Sequence, residues 1–296
     1  MKIVVAGGSG FIGRPLVRAL LARGDDVAVL SRDPAHVREG RGVGWAGVGE
    51  AVRDADAIIN LAGENVGAGR WTAARRQRIL KSRTEATAKL VDALRAAPER
   101  RRTFINASAV GYYGLHGDEV LDESAASGAG FLVEVVRQWE AAAREAEVFA
   151  RLVILRFGVV LAAEKGGALA KMALPFRLGV GGRVGSGRQW MSWIDRDDAI
   201  RMILWALDNE AVHGIYNATA PEPVMNREFT RALGRALHRP AFMPAPAFAL
   251  RLLFGAMADE VLLGGQRVLP GRAAREGFVF EYGNLDRALA HALGSR

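Results

Sequence analysis

Residues Lys2 to Ala6 form a short β-branched run whose unbroken hydrophobicity is that of a parallel strand buried on both faces. It leads into Gly7-Gly8-Ser9-Gly10-Phe11-Ile12-Gly13. Ile12, Leu16 and Leu20 then recur every four residues with Val17 and Leu21 alongside, one apolar face of a helix. Gly24 ends that helix, and Val27 to Leu30 predicts a second strand. The alternation continues. Ala57 to Leu61 predicts a strand, Trp71 to Arg95 a long helix, Thr103 to Ala107 a strand, Phe131 to Glu147 a helix, and Leu152 to Leu161 one further continuous strand. Strands separated by helices predict an α/β fold of the Rossmann type, a doubly wound parallel sheet. Past Gly166 the pattern loosens into glycine- and proline-punctuated chain, read as a smaller substrate lobe. The expected division is a dinucleotide-binding domain over 1–165, joined again by about 189–220, a mixed lobe over 166–245 and a C-terminal domain over 246–296. In that last part Phe248, Leu252, Leu253 and Met257 fall on one helical stripe, expected to pack as core rather than anchor the chain to a membrane.

Composition narrows the function classes. With 296 residues, half of them apolar, the chain can bury a substantial core. The absence of cysteine excludes disulfides, thiolate metal sites and cysteine nucleophiles. No signal peptide or apolar span is evident, so a cytoplasmic protein is expected. Lys and Arg number 40 against 32 Asp and Glu, a net charge of +8. The arginines are scattered along the whole chain, and no nucleic-acid-binding motif accompanies them, so neither nucleic acid nor a membrane is expected as a partner. The densest basic patch, Arg70 to Arg83, reads either as a solvated helix face or as a contact for the phosphates of a small ligand.

Gly7, Gly10 and Gly13 carry the most specific chemistry. In a strand–turn–helix context, glycines at this spacing let the backbone touch a diphosphate while the helix N-terminus presents free N–H groups to it. A carboxylate at the end of the second strand would bind the ribose hydroxyls of NAD(H). This chain has Ser31-Arg32 there, a hydroxyl and a guanidinium suited to a 2′-phosphate, which favours NADP(H) over NAD(H) despite the neighbouring Asp33. No metal site is expected.

The opening glycine turn and Asn60-Leu61-Ala62-Gly63 resemble the extended short-chain dehydrogenase/reductase superfamily. Further stretches resemble its atypical, nucleoside-diphosphate-sugar epimerase-like branch, which carries a C-terminal domain of uncharacterised function. They are Gly63-Glu64-Asn65, Arg70-Trp71, Ser82-Arg83, SAVGYYG from Ser108, Trp139-Glu140, GSGRQWMSWID from Gly185 and GQRVLP from Gly265. The likeness spans essentially the whole chain. It implies cofactor contacts from Gly7, Ser9, Gly10, Phe11, Ile12 and Gly13, and from Ser31 and Arg32. It adds Leu61, Ala62, Gly63, Arg83, Ala107, Phe157 and Val159.

Such enzymes need a proton donor beside the hydride, commonly a Tyr followed one turn later by a Lys, with a Ser from the preceding strand holding the substrate oxygen. Ser108 stands at that strand end. The Tyr–Lys pair is absent: the helix offers Val133 and Arg137, or Phe131 and Val135. Tyr112 is the substitute singled out, with Tyr113 beside it. Glu64, Glu123 and Asp195 are further polar candidates, each more often a cap or a buried hydrogen-bond partner than a general base. Arg183, Arg188, Gln189 and Trp190 suggest either a substrate loop or a plain surface loop. The resulting expectation is an NADP(H)-binding atypical short-chain oxidoreductase, monomeric or homodimeric, acting on an unidentified small molecule. The alternatives are a nucleotide-sugar epimerase or dehydratase, and a non-catalytic NADP(H)-binding regulatory protein of the cell-division-inhibitor-like kind.

Overall fold

The apolar runs of the first half become neighbouring strands of one sheet because each is buried on both sides and finds its backbone partners there. In the computed structural model, which describes residues 1–164 and 166–294, chain order begins with β1 (Lys2–Ala6), α1 (Gly13–Ala22), β2 (Asp26–Ser31), β3 (Arg41–Gly44), α2 (Val48–Asp54) and β4 (Ala57–Asn60). There follow α3 (Ala73–Arg95), β5 (Arg102–Ala109), the two-residue β6 (Val120–Leu121), α4 (Phe131–Arg144) and β7 (Ala150–Phe157). The chain continues through β8 (Val159–Leu161), α5 (Ala168–Arg177), β9 (Trp190–Met191), β10 (Trp193–Asp195), α6 (Arg196–Asp208) and β11 (Gly214–Ala218). It ends with β12 (Val224–Met225), α7 (Asn226–Ala236), α8 (Ala247–Phe254), β13 (Arg267–Val268), α9 (Gly271–Arg275) and α10 (Leu285–Leu293). The expected boundary at residue 165 and the last two residues of the tail lie outside the described residues.

Seven strands form the main sheet in the order β11-β7-β5-β4-β1-β2-β3, every pair parallel. Alternation decides which side chain goes where. Ile3 and Val5 meet Leu16, Val17 and Leu20 of α1 on one face, where Met202 and Ile203 of α6 also pack. Val4 and Ile58 meet Val52, Leu90 and Leu94 of α2 and α3 on the other. Strand order reverses between β1 and β4. In an open parallel sheet that switch point opens a crevice at the carboxyl ends of the strands, so Gly7 and Leu61 sit at its mouth.

Two expectations about elements need correction. Leu152 to Leu161 is not one strand. At Gly158 a β-carbon would lie 2.6 Å from the Ser192 carbonyl oxygen, and the chain bends there so that β8 leaves the sheet to pair with β10. The apolar run reads the same whichever sheet it joins. The apolar stripe in the tail is not core either: of its four residues only Met257 is covered, packing with Trp71, Ile79 and Val135, while Phe248, Leu252 and Leu253 stand in solvent.

The tail holds on through backbone carbonyls and carboxylates. Gln266 Nε2 donates to the Val110 carbonyl (2.8 Å), Gln189 Nε2 to the Leu262 carbonyl (2.8 Å), and β13 pairs with β6. No side chain caps the N-terminus of α4 from its own helix. Glu260, in the π-helical turn Ala258–Leu263, accepts from the amides of Phe131 (3.2 Å) and Leu132 (2.9 Å) instead. A carboxylate there satisfies two orphan donors and meets the positive end of the helix dipole. Glu260→Ala is therefore expected to lower stability by about 1–2 kcal/mol, read as a fall in the urea midpoint; an unchanged midpoint would show that α4 does not depend on the tail.

Candidate functional site

At the switch point the structure brings together the glycine turn, the end of β4 and one side chain of α3. Gly7 has φ +78°, and a β-carbon on it would lie 2.7 Å from the Leu61 carbonyl carbon and 2.9 Å from the Ala62 nitrogen. A β-carbon on Gly13 would lie 2.1 Å from the Gly7 oxygen. The turn closes with Gly10 N donating to Gly7 O (2.9 Å). Helix α1 then starts with no side-chain cap and no acid in its first turn, and the amides of Phe11 and Ile12 donate to no group among the described residues. Bare amides at a dipole's positive end are an anion site. Ser9 lies exposed on the turn, whereas the Phe11 ring turns away to pack against Gly167 and Arg196.

Arg83 is the charged member of this group. Its Nη1 donates to the carbonyls of Glu64 and Ile79, both at 3.0 Å, and its guanidinium lies over the Trp139 ring at 5.1 Å. Nε and Nη2 have no hydrogen-bond partner among the described residues. A β-carbon on Gly63 would come within 3.1 Å of the guanidinium carbon, so Gly63 leaves the room that Arg83 fills. Burial pushes the Arg83 pKa down to about 10, only partly opposed by the charge of Glu64, whose carboxylate pairs with Arg75 (3.5 Å) and Arg78 (3.4 Å) instead. The cation is desolvated and pairs with no anion among the described residues. The basic patch thus divides: Arg83 is withdrawn from water, and Arg78 is solvated.

The Ser31-Arg32 pair at the end of β2 is more open. Ser31 ends β2 one residue beyond Leu30, the partner of Ala6, and its Oγ accepts from the Asp33 amide (3.0 Å). Arg32 is exposed with no ion pair among the described residues. Asp33 turns its carboxylate to His36 (2.8 Å), away from a repelling role.

The crevice end of β5 is built differently. Ser108 is only 3% exposed, and its Oγ donates to Glu140 Oε1 at 2.6 Å. Glu140, fully buried on α4, also accepts from Arg156 Nε (2.7 Å) and Nη2 (2.8 Å) and from Arg144 Nη2 (3.1 Å). Those four contacts fill the carboxylate. Burial works against the Arg156 charge, yet the hydrogen bonds and charge of Glu140 hold its pKa above the ordinary guanidinium value. Arg156 Nη1 further donates to the Tyr113 hydroxyl (3.0 Å), which donates to Asn217 Oδ1 (2.8 Å). Burial raises the Tyr113 pKa, making it a poor acid. Tyr112 is the freer phenol: half-buried, with Arg156 3.4 Å above its ring and no hydrogen bond to its hydroxyl among the described residues. Ala107 is buried and Phe157 nearly so, while Val159 is half-buried just past the bend at Gly158. Val133 and Val135 are packed and Arg137 is exposed, so neither pair of helix positions offers an acid.

The remaining candidates have structural partners. Glu123 accepts from the Asn217 amide (2.9 Å) and the Arg272 amide (3.1 Å). Asp195 accepts from the Asp197 amide (2.7 Å) and meets His291 (3.0 Å). Gln189 and Trp190 hold the tail and Asp118, leaving Arg183 and Arg188 in solvent. Sequence reasoning missed Glu140 and Arg156 as partners of Ser108. The signal was present: Val133, Val136, Glu140 and Ala143 share one buried stripe, and a carboxylate on such a stripe demands a buried cation.

A parallel sheet with a glycine turn and bare helix amides at its switch point defines a nucleotide-binding protein of the Rossmann type. Comparison with known proteins gives the particular family. The chain belongs to the NAD dependent epimerase/dehydratase family, whose model matches residues 3–219, and a Domain of unknown function (DUF1731) matches residues 245–292. It is 41% identical over 297 residues to the epimerase family protein ML0860 of Mycobacterium leprae, covering 98% of this chain and 95% of that one. The crystal structure of human epimerase family protein SDR39U1 with NADPH superposes with a TM-score of 0.92 at 36% identity, over 100% of both chains. UDP-glucuronic acid 4-epimerase from Bacillus cereus, solved with UDP-glucuronic acid and NAD, has a TM-score of 0.80 at 17% identity over 100% of this chain and 98% of that one, a likeness of fold alone. No helix among the described residues is long and apolar enough to cross a membrane.

Removing one partner of a buried ion pair leaves the other charge stranded. Glu140→Ala is accordingly expected to destabilise the protein by about 3–5 kcal/mol, measured by chemical denaturation; a loss below about 1 kcal/mol would mean that the pair behaves like a surface contact.

Proposed function

We propose that the protein binds NADP(H) at the switch point and uses it as an atypical short-chain reductase of a small carbonyl compound. The observation that carries the cofactor assignment is the desolvated Arg83 cation, without a carboxylate of its own, beside a glycine turn that tolerates no β-carbon. The residues fit the group. The amides of Phe11 and Ile12 and the Arg83 guanidinium would hold the diphosphate, and Ser31 with Arg32 the 2′-phosphate. The NADPH-bound human relative supports the same reading.

When bound, the reduced cofactor supplies a hydride to a carbonyl carbon. The chain must then deliver a proton to the carbonyl oxygen, and the Tyr112 hydroxyl is the donor proposed here. Ser108 has spent its proton on Glu140, so toward a substrate it acts as a hydrogen-bond acceptor. Cofactor recycling of the 4-epimerase kind needs a base at the nicotinamide, and with valine and arginine at 133 and 137 that alternative is the weaker one. The engaged Ser108 and the missing Tyr–Lys pair favour one second reading, a protein that binds NADP(H) without turnover. NADPH consumption across a panel of aldehydes and ketones separates the two: turnover lost in Tyr112→Phe supports the reductase, and unchanged NADPH with every carbonyl supports the regulator.

Two substitutions test the cofactor assignment. Arg32→Asp is expected to weaken NADPH binding by roughly tenfold or more in calorimetry while leaving NADH binding little changed; equal losses would remove the 2′-phosphate role. Arg83→Met is expected to weaken both cofactors and yet stabilise the free protein. The folded pKa of Arg83 lies below the unfolded 12.5, so its charge weakens the fold at every pH below about 10, and the penalty fades only between there and 12.5. That fall is worth on the order of 3 kcal/mol against the charged form, so the melting temperature of the unliganded variant should rise. A fall would show that its two carbonyl contacts outweigh its desolvation.

A further inference from the structure

The tail stripe that faces solvent belongs to a larger surface. Phe248 and Leu252 of α8 are 74% and 75% exposed, and Phe242 just ahead of them is 68% exposed. Leu178, which closes α5, is 69% exposed, with Leu174 and Val180 beside it in the chain. These segments are one unit: the Met243 amide donates to the Gly181 carbonyl (3.1 Å), and the Ala245 amide to the Arg183 carbonyl (2.9 Å). Soluble surfaces carry single exposed apolar residues freely, but several of them on three joined segments mark a docking face.

Its charge says what it docks to. Between Gly166 and Met257, leaving aside the return through 193–218, the chain carries nine Lys and Arg residues and two carboxylates. Arg227, Arg231 and Arg235 follow one another every four residues along α7 as an exposed stripe, and Arg239 is exposed just past its end. Arg235 is paired with Asp286 (2.7 Å) and Arg251 with Asp259 (2.9 Å). Arg231 and Arg239 form no ion pair among the described residues, and with His238, Pro240 and Ala241 they line an open groove next to Phe242. Two copies of so basic a face repel each other, which argues against pairing with a second chain.

We propose that this face, formed by the end of α5, the 242–243 turn, α8 and the arginine stripe of α7, docks the protein on an anionic phospholipid surface. The phosphates meet Arg231 and Arg239, and Leu178, Phe242 and Phe248 dip into the acyl boundary, as interfacial proteins with apolar tips and a basic rim do. No span is needed. The proposal replaces the sequence expectation that the chain has no membrane partner, and it is independent of the reductase reading, since none of these residues lies at the switch point.

The test is co-sedimentation of the full chain with vesicles of phosphatidylcholine alone, and of phosphatidylcholine and phosphatidylglycerol in equal parts. Binding to the anionic vesicles is expected to be at least about tenfold stronger and to fall with added salt. The doubles Phe242→Ser with Phe248→Ser, and Arg231→Gln with Arg239→Gln, should each reduce it by about tenfold or more while keeping the melting temperature and NADPH affinity of the parent. Equal binding to both vesicles, no binding, or doubles that bind like the parent would overturn the proposal. So would a stable dimer in sedimentation that the phenylalanine double dissolves, which would assign the face to a second copy. Soluble polyglutamate that displaces the protein from vesicles by seating on the Phe242 and Phe248 side chains would assign it to an acidic polypeptide.

Discussion

A carboxylate with no exposure faces a guanidinium with almost none, and the crevice side of the sheet is organised around that contact. Glu140 comes from α4 and Arg156 from β7, so the pair fixes the helix on the strand. Through Arg156 it reaches Tyr113 and then Asn217 on β11, and through Ser108 it reaches β5. Asn217 also donates to the Leu269 carbonyl (3.0 Å) and receives Glu123 on its amide, so the tail joins the same network. A buried pair of this kind is tolerable only because the carboxylate accepts four hydrogen bonds and each guanidinium nitrogen has a partner. Three strands, one helix and the tail therefore share a register that none of them could change alone.

The other end of the crevice follows the opposite rule. Arg156 is saturated, whereas Arg83 is desolvated and answered only by carbonyls. Folding tolerates the first because its partner comes with it and tolerates the second at a cost. Uncompensated positive charge, bare amides and glycines that leave no room for a β-carbon occur at one point of the fold. Each is unfavourable or neutral for the free protein, and each becomes favourable when a diphosphate arrives. Function at this end is visible as polar groups left without partners, and at the other end as groups whose partners leave them no freedom.

That difference governs how much was legible in the sequence. The glycine turn could be read because its requirement is local: strand, three glycines and an apolar helix face adjoin one another in thirty residues. Asn60 to Gly63 was read by resemblance alone, and the structure sets its Leu61 and Ala62 backbone against Gly7. Glu140 and Arg156 were not paired in advance, since sixteen residues and a strand crossing separate them and a charge on an amphipathic helix ordinarily faces water. Edge strand β3, with Val43 the one large apolar residue in Arg41–Gly44, gives no strand pattern, and only its pairing with β2 defines it. The bend at Gly158 was hidden because its cause, the Ser192 carbonyl, lies thirty-four residues on.

The tail shows a different limit. Periodicity finds the apolar face of α8 correctly but says nothing of what that face meets. Met257 and Phe254 turn inward over Trp71 and Ile79, which seats the helix end above the start of α3, and Glu260 then reaches the amides of α4. Beyond those anchors α8 joins no apolar cluster of the described residues: Phe176, Phe229 and Leu289 form a cluster of their own that includes no residue of the helix. An apolar face left over after the core is complete is not a packing failure of the tail. It is surplus hydrophobicity beside surplus positive charge, and that combination, rather than the exposure of any one side chain, sets this face apart from singly exposed residues such as Val148 and Val279.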